Sequence, residues 1–323
     1  MTIAGLRKAG TLIAALLLLG GASDAPVMAP LEGAGWELAW ADEFEGDSLD
    51  RTKWTPEESC WGGGNSERQC YTDRPENIAV EGGLLLLKAR KERFAGPARP
   101  PEIAERDNPT LVQSHTSGKV RTIGLHAWRY GRIEARAKVP AGQGTWPAIW
   151  MMPNDPAYGP WPRSGEIDIL EAVNIGAKCK VCEGGKGENR TISALHFGNF
   201  APLNRYVDSR TALADRALPS DDFHVYAVEW GEGLIRFLVD DRVHLTVTAD
   251  QWSTAARNAK GRPAAPFDQP FYIMANLAVG GRLSEENNAK GVAAKSFPAQ
   301  FAIDWIRVYR CADDPETGRA CMR

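Results

Sequence analysis

The sequence predicts an all-β sandwich or barrel, and three observations support this fold class. Segments rich in β-branched and aromatic residues recur between glycines and prolines. Residues 132–139 alternate apolar and polar side chains, as in a strand with one buried and one solvated face. Helical periodicity is nearly absent after the first part of the chain. Together these patterns are typical of many short strands packed in two layers.

The predicted strands follow one another with turn residues between them. They are 77–89, 131–139, 165–172, 191–198, 224–230, 234–239, 243–248, 271–277 and 301–310. Residues 90–113 are rich in proline and charge and are predicted to form an insertion loop. We expect one domain over residues 36–311 and a short C-terminal tail over residues 312–323.

Composition and charge exclude several classes of protein. The chain has 323 residues, 43% hydrophobic and 24% charged, which excludes a disordered or fibrous protein. Lysine and arginine number 38 against 41 acidic residues, so no basic excess favours a nucleic-acid partner. The 11 tryptophans outnumber the 10 phenylalanines and 7 tyrosines. Tryptophan suits a surface that stacks on sugar rings, although it also serves as core.

The start of the chain has the pattern of a secretory signal peptide. Arg7 and Lys8 precede an uncharged run over residues 9–21, and small residues follow. The run is shorter than the roughly 20 apolar residues that span a bilayer, and an uncleaved anchor is the alternative. We therefore expect residues 1–23 to be removed. The mature protein would then be secreted or periplasmic, without a membrane association.

Six cysteines fall in three local pairs, which in an exported chain indicates disulfides. The simplest pairing joins neighbours, although six cysteines allow 15 connectivities. The CKVC segment is also compatible with a redox motif or half of a zinc site, but no second close pair of ligands is present. The expected pairs are Cys60–Cys70, Cys179–Cys182 and Cys311–Cys321.

Three carboxylates within six residues form the most informative cluster. Glu166 and Asp168 share a face of the predicted strand because strand side chains alternate. Glu171 lies at an odd offset from Glu166 and would point to the opposite face of a regular strand. A β-bulge near Ile169 and Leu170 would return it to the first face.

A bulged strand would place Glu166 and Glu171 on one face, about 13 Å apart at Cα. Converging side chains could reduce the carboxylate separation to the ~5–5.5 Å of a retaining glycosidase. Three neighbouring acids repel one another, so at least one pKa is expected to rise, as a general acid requires. The alternative is a solvated acidic strand edge without catalytic function.

Tryptophans just before the cluster favour a glycan cleft over that alternative. Trp146, Trp150 and Trp161 are candidate substrate-binding residues, with Trp146 and Trp161 as the expected stacking platforms. Any single tryptophan serves equally well as core. The tryptophans expected in the core are Trp36, Trp40, Trp230 and Trp305.

The segment GEIDILE, with GQGTWPAIWMMP and WPRSGE before it, resembles glycoside hydrolase family 16 and its bacterial laminarinase-like endo-β-1,3-glucanases. Further similar segments are YGRIEARAKVPAGQG, SALHFG, DDFHVYAVEW, PFYIMANLAVGG and FAIDWIRVY. The resemblance implies a β-jelly-roll sandwich of the concanavalin A type with an open cleft. It also implies that residues 36–311 are the catalytic domain and that anomeric configuration is retained.

The resemblance carries over roles residue by residue. It implies Glu166 as nucleophile, Asp168 as its supporting carboxylic acid and Glu171 as acid/base. His196 matches a family histidine on the neighbouring strand, and the alternative is a histidine of the core or the cleft wall. Asn65 and Arg163 are further candidate substrate contacts.

The resemblance also bears on cations and cofactors. It implies a possible structural calcium at Glu43, Gly82 and Asp304, although Asp304 could simply end a strand ladder. The mechanism requires no cofactor. The family usually has an aromatic residue where Cys70 stands, which suggests a subgroup with disulfide-bonded loops at the cleft rim.

Three functions therefore remain open. The first is an exported, monomeric endo-glucanase acting on β-glucan polysaccharide. The second is a sulfated-galactan hydrolase such as an agarase or carrageenase, for which Arg163 and Arg129 would supply cationic contacts. The third is a glucan-binding protein that has lost catalysis, but such relatives lack the paired glutamates that are present here.

Overall fold

The computed structural model describes residues 35–104 and 106–322. The predicted signal peptide, residues 1–23, lies outside them. Within this part the strands are β1 (Trp36–Asp42), β2 (Thr55–Pro56), β3 (Gln69–Tyr71), β4 (Ile78–Glu81), β5 (Leu84–Ala89), β6 (Phe94–Pro97), β7 (Thr110–Gln113), β8 (His115–Ser117), β9 (Lys119–Arg121), β10 (Gly131–Lys138), β11 (Thr145–Pro153), β12 (Glu166–Ala172), β13 (Arg190–Gly198), β14 (Asn204–Ala212), β15 (His224–Gly231), β16 (Leu234–Val239), β17 (Arg242–Thr248), β18 (Phe271–Val279) and β19 (Ala299–Cys311).

Helix is confined to short turns. The α-helix α1 (Arg282–Glu285) has four residues, and the 3₁₀ turns cover Gly62–Gly64, Pro101–Ile103, Arg257–Ala259, Ala294–Ser296 and Arg319–Cys321. No helix in the described ranges has the length and apolar character needed to cross a membrane. The all-β prediction is confirmed.

Two antiparallel sheets form the two layers of a jelly-roll sandwich. The first sheet runs β17-β16-β15-β10-β19-β5-β4, with β1 also paired to β19. The second sheet runs β14-β13-β12-β11-β18-β9-β2 and contains the predicted catalytic strand β12 near its middle. Side chains from both sheets share one apolar core, for example Ile133 and Val228 of the first and Ile149 and Ile167 of the second.

Strands with clear alternation were predicted well, and strands with mixed faces were not. The prediction for 77–89 covers β4 and β5, which form a hairpin that turns at Gly82 and Gly83. The predicted insertion loop 90–113 is wrong in part, because β6 and β7 form a two-stranded hairpin there. Strands β11 and β14 were not predicted. In β11 small residues and proline interrupt the pattern, and β14 is almost entirely polar and solvent-exposed.

The three predicted disulfides are present, and no cysteine in the described ranges is free. The third bond ties the C-terminal tail to β19. In the tail Met322 is buried, and its carbonyl accepts a hydrogen bond of 2.6 Å from Arg236. The described part of the tail therefore packs against the first sheet.

Removing individual disulfides should destabilise the protein according to the size of the closed loop. A Cys311→Ser and Cys321→Ser double variant is expected to lose about 3 kcal/mol of unfolding free energy, and the Cys179 and Cys182 pair about 2 kcal/mol, in the chain-entropy model. Denaturant unfolding of the two double variants measures the difference. A larger loss for the Cys179–Cys182 pair would contradict the loop-size account.

Candidate active site

A bulge in β12 brings the three carboxylates to one face of the second sheet. Asp168 is opposite Ala194 of β13 and Glu171 is opposite Ile192, so three steps along β12 match two along β13. The partners of Asp168 and Leu170 on β11 are consecutive residues, which leaves Ile169 unpaired on both sides. The predicted bulge is therefore found at the predicted residues.

Two tryptophans donate hydrogen bonds to the two glutamates. Trp146 Nε1 donates to Glu171 Oε1 over 2.9 Å, and Trp161 Nε1 donates to Glu166 Oε2. Each glutamate is partly exposed, whereas Asp168 between them is buried. An indole N–H is only a donor, so each contact fixes one carboxylate oxygen and leaves the other for a substrate.

The environment raises the pKa of two of the three acids. Burial, followed by the charge of Glu166, raises the pKa of Asp168 well above its ordinary value. The neighbouring His196 side chain opposes this shift. Burial also raises the pKa of Glu171 to about 7, although His196 and the Trp146 hydrogen bond oppose the shift. Glu171 is thus mostly protonated below pH 7 and loses its proton as the pH rises through about 7.

His196 lies across from Glu166 on β13, and its Nε2 is 3.3 Å from Asp168 Oδ2. Burial disfavours the charged imidazole, but Asp168 and Glu166 together raise the pKa of His196 to about 10. The result is a cation within a group of acids. His196 therefore belongs to the carboxylate cluster, as the functional interpretation of this residue predicts.

The sequence matches the model of a known protein family over most of its length. Residues 36–311 match the family model "Beta-porphyranase A-D, GH16 domain". The chain belongs to glycoside hydrolase family 16. The match covers the range predicted for the catalytic domain.

Named relatives of the family are similar over most of the chain. It is 37% identical over 286 residues to a glucan endo-1,3-β-glucosidase A1 of Niallia circulans, covering 86% of this chain but only 38% of that relative. It is also 37% identical over 279 residues to a β-glucanase of Rhodothermus marinus, covering 85% of each. The crystal structure of the Rhodothermus marinus laminarinase superposes with a TM-score of 0.66 at 35% identity, covering 85% of this chain and 97% of that one. The predicted family and jelly-roll fold are confirmed.

The three candidate substrate-binding tryptophans differ in exposure. Trp161 is 44% exposed and offers a ring surface beside Glu166, whereas Trp146 is 9% exposed. Trp146 packs against Val173 and Ala278 and donates to Glu171, so its buried ring does not form the expected open stacking platform. Trp150 is half-buried, donates to Asn276 and has the Lys119 ammonium 5.0 Å from its ring centroid.

The expected core tryptophans are mostly buried. Trp36, Trp230 and Trp305 are no more than 7% exposed, whereas Trp40 is only half-buried. Trp40 lies at the edge of the core and packs against Trp54 and Trp128.

The remaining predicted contacts occupy different places. Asn65 is exposed in a loop. Its backbone carbonyl accepts a hydrogen bond from the backbone N–H of Arg282. Arg163 donates to Asn199 over 2.9 Å and stacks on Phe200, so its guanidinium already has partners outside the carboxylate cluster.

Tyr206 is a candidate substrate contact that the sequence did not reveal. It lies on β14 opposite His196 and is 61% exposed. The rings of Trp161, His196 and Tyr206 form a series with centroid separations of 6.2 and 5.7 Å. This series extends from Glu166 to the edge of the sheet. The sequence did not indicate Tyr206 as a site residue because the strand that carries it, β14, was not predicted.

The residues suggested for calcium do not fit a free cation site. Both carboxylate oxygens of Glu43 accept hydrogen bonds from Arg307, at 2.8 and 2.9 Å. Asp304 is paired with Arg136. The carboxylates of Glu43 and Asp304 are thus each paired with a guanidinium, and a calcium ion would have to displace an arginine from either one. We therefore assign no calcium ion to these residues.

Two other groups in the described ranges bring three metal-ligand types within 4.8 Å of one another. One is Cys179, Cys182 and Glu188, but the two sulfurs are joined in a disulfide and offer no thiolate. The other is Glu166, Asp168 and His196, which is the carboxylate cluster itself. We assign a metal ion to neither group.

The pH dependence of turnover should follow the protonation of Glu171. Because the group must be protonated to act as an acid, kcat/KM is expected to fall as pH rises above about 7. Trp146→Phe removes a hydrogen bond that lowers the pKa of Glu171, so the falling limb should move to higher pH. Trp150→Phe is the control, since that indole donates to Asn276. An unmoved limb in Trp146→Phe would contradict the assignment.

Proposed function

We propose that the protein is an endo-acting retaining glycosidase that hydrolyses β-1,3-glucosidic bonds in laminarin-type or mixed-linkage β-glucans. The observation that carries the proposal is the pair of glutamates on the bulged strand. Each accepts a hydrogen bond from a tryptophan N–H, and the pKa of Glu171 is raised to about 7. The named β-glucanase relatives support the choice of substrate.

In the first step Glu166 attacks the anomeric carbon as a carboxylate. The glycosidic C–O bond breaks, and Glu171 gives its proton to the leaving oxygen. The product is a glycosyl-enzyme ester on Glu166. Burial and the charge of Glu166 raise the pKa of Asp168, which disfavours a third negative charge beside the nucleophile.

In the second step Glu171, now ionised, takes a proton from water. The water oxygen attacks the anomeric carbon, the ester bond to Glu166 breaks, and Glu171 is protonated again. Two inversions retain the configuration. The nearby His196 cation stabilises the ionised form of Glu171, which is the form that this step starts from.

A sulfated-galactan hydrolase is the second candidate, and the porphyranase description of the family model favours it. Recognition of sulfate requires cationic side chains in the cleft. Arg163 stacks on Phe200, and Arg129 pairs with Glu316. Lys119 is buried against Glu57. Because these cations have partners, a neutral glucan is the better-supported substrate.

We further propose that the protein acts as a secreted or periplasmic monomer without a nucleic-acid partner. The three disulfides support an oxidising compartment. The small net charge of −3 supports the absence of nucleic-acid binding.

Product analysis on four polysaccharides tests the substrate class. The purified mature protein should release β-1,3-linked oligosaccharides from laminarin and mixed oligosaccharides from barley β-glucan, with no products from agarose or carrageenan. A ladder of intermediate sizes early in the reaction indicates endo-action. Cleavage of a galactan without cleavage of either glucan would refute the first candidate and support the second.

Variants of the two glutamates should separate their roles. Glu166→Ala is expected to abolish turnover, since no nucleophile remains, and added azide should yield an α-glycosyl azide by one inversion. Glu171→Ala should lose polysaccharide cleavage but still react with aryl glycosides whose leaving group needs no proton. Azide should then give a β-glycosyl azide after two inversions. Nuclear magnetic resonance of the products identifies the anomer.

The opposite anomer from either variant would reverse the two assignments. Wild-type rates in both variants would show that the cluster is not the active site. Asp208→Asn is a matched control, because Asp208 is an exposed carboxylate on β14, two strands away from β12.

A further inference from the structure

The bulge that places Glu171 on the catalytic face also leaves one residue of β12 outside the pairing register. Ile169 is opposite no residue of β11 or β13. Its side chain belongs to the core, and the residue is 1% exposed, so bulk water does not reach it. A buried carbonyl without a hydrogen bond is rare in folded proteins because its desolvation is not compensated.

The Ser193 side chain supplies a donor to the Ile169 carbonyl. Ser193 Oγ donates to the Ile169 carbonyl over 2.8 Å. Ser193 is the residue of β13 between the partners of Asp168 and Glu171, so it stands across from the bulge itself. It is 2% exposed. The hydrogen bond therefore joins β13 to β12 at the bulge.

His244 orients this hydroxyl from the other sheet. Ser193 Oγ lies 3.3 Å from His244 Nε2, and His244 belongs to β17 of the first sheet. Burial lowers the pKa of His244 to about 4, so the ring is neutral near neutral pH. Because the serine proton is given to Ile169, Oγ accepts from the protonated Nε2.

A hydroxyl at this position is not explained by packing. Leu195 and Phe197, on the same face of β13, both belong to the apolar core. Burying a hydroxyl among such side chains is unfavourable unless it forms hydrogen bonds. The two contacts of Ser193, to the bulge and to His244, account for its presence.

We propose that Ser193 is a positioning residue that holds Glu171 on the catalytic face through its hydrogen bond to the Ile169 carbonyl at the bulge. The inference rests on the proposed role of Glu171 as acid/base. Without the bond, the two residues between Asp168 and Glu171 can relax towards a regular strand, which turns Glu171 away from the leaving oxygen. Glu166 lies before the bulge and keeps its place.

Three variants test this role. Ser193→Ala removes the donor, and Ser193→Thr keeps a hydroxyl at the same position. Ser209→Ala is the matched control, because Ser209 is paired with Ser193 across β13 and β14 but donates to the backbone carbonyl of His244. Thermal unfolding identifies variants that fold.

The kinetic readout separates positioning from general damage. On laminarin we expect Ser193→Ala to lose kcat on the order of 10- to 100-fold with little change in KM. On a dinitrophenyl β-laminaribioside with azide, neither step needs Glu171, and the variant should stay within about twofold of wild type. Ser193→Thr should recover most of the laminarin rate, and Ser209→Ala should behave as wild type.

An equal loss on both substrates, or no loss on laminarin, would overturn the proposal. A crystal structure of Ser193→Ala tests the position of Glu171 without any substrate. The distance of 2.9 Å between Trp146 Nε1 and Glu171 Oε1 should lengthen in Ser193→Ala and stay unchanged in Ser209→Ala. An unchanged distance in Ser193→Ala would also overturn the proposal. Failure of wild type to cleave any glucan would refute the proposed substrate without affecting this structural result.

Discussion

One extra residue in β12 is the constraint on which the site depends. A regular strand would turn Glu171 into the apolar core, where a carboxylate has no compensating partner. The bulge turns it outward, towards Trp146 and the charge of Glu166. Burial beside like charges then raises the pKa of Glu171, as the proposed acid role requires. Backbone geometry thus comes first, and the acid–base properties follow from it.

The second sheet surrounds this strand with rigid neighbours. Strands β11 and β13 flank β12 on both sides, so the side chains that hold the carboxylates come from paired strands and not from free loops. Trp146 belongs to β11 and His196 to β13. Trp161 is the exception, because it precedes β12 in a connecting segment. Rigid support of this kind keeps reacting groups in place without further movement on binding.

The fold class, the bulge and the three carboxylates were predictable because each produces a local signal. Alternation marks a half-buried strand, and the odd offset between Glu166 and Glu171 marks the extra residue. Long-range contacts leave no such mark. The sequence did not show that the Arg163 guanidinium would contact Asn199 and Phe200. It also did not show that the Lys119 ammonium would lie over the Trp150 ring. Tyr206 was missed because an exposed edge strand lacks apolar periodicity.

The position of β14 at the end of the second sheet has a consequence for solubility as well as for binding. An edge strand has backbone groups free to pair with another molecule, and flat apolar edges promote aggregation. Along β14 the charged residues Arg205, Asp208 and Arg210 accompany the exposed ring of Tyr206. The strand therefore combines an aromatic surface with charges of both signs. This arrangement leaves a flat ring exposed while its charges disfavour extension of the sheet by a second copy of the chain.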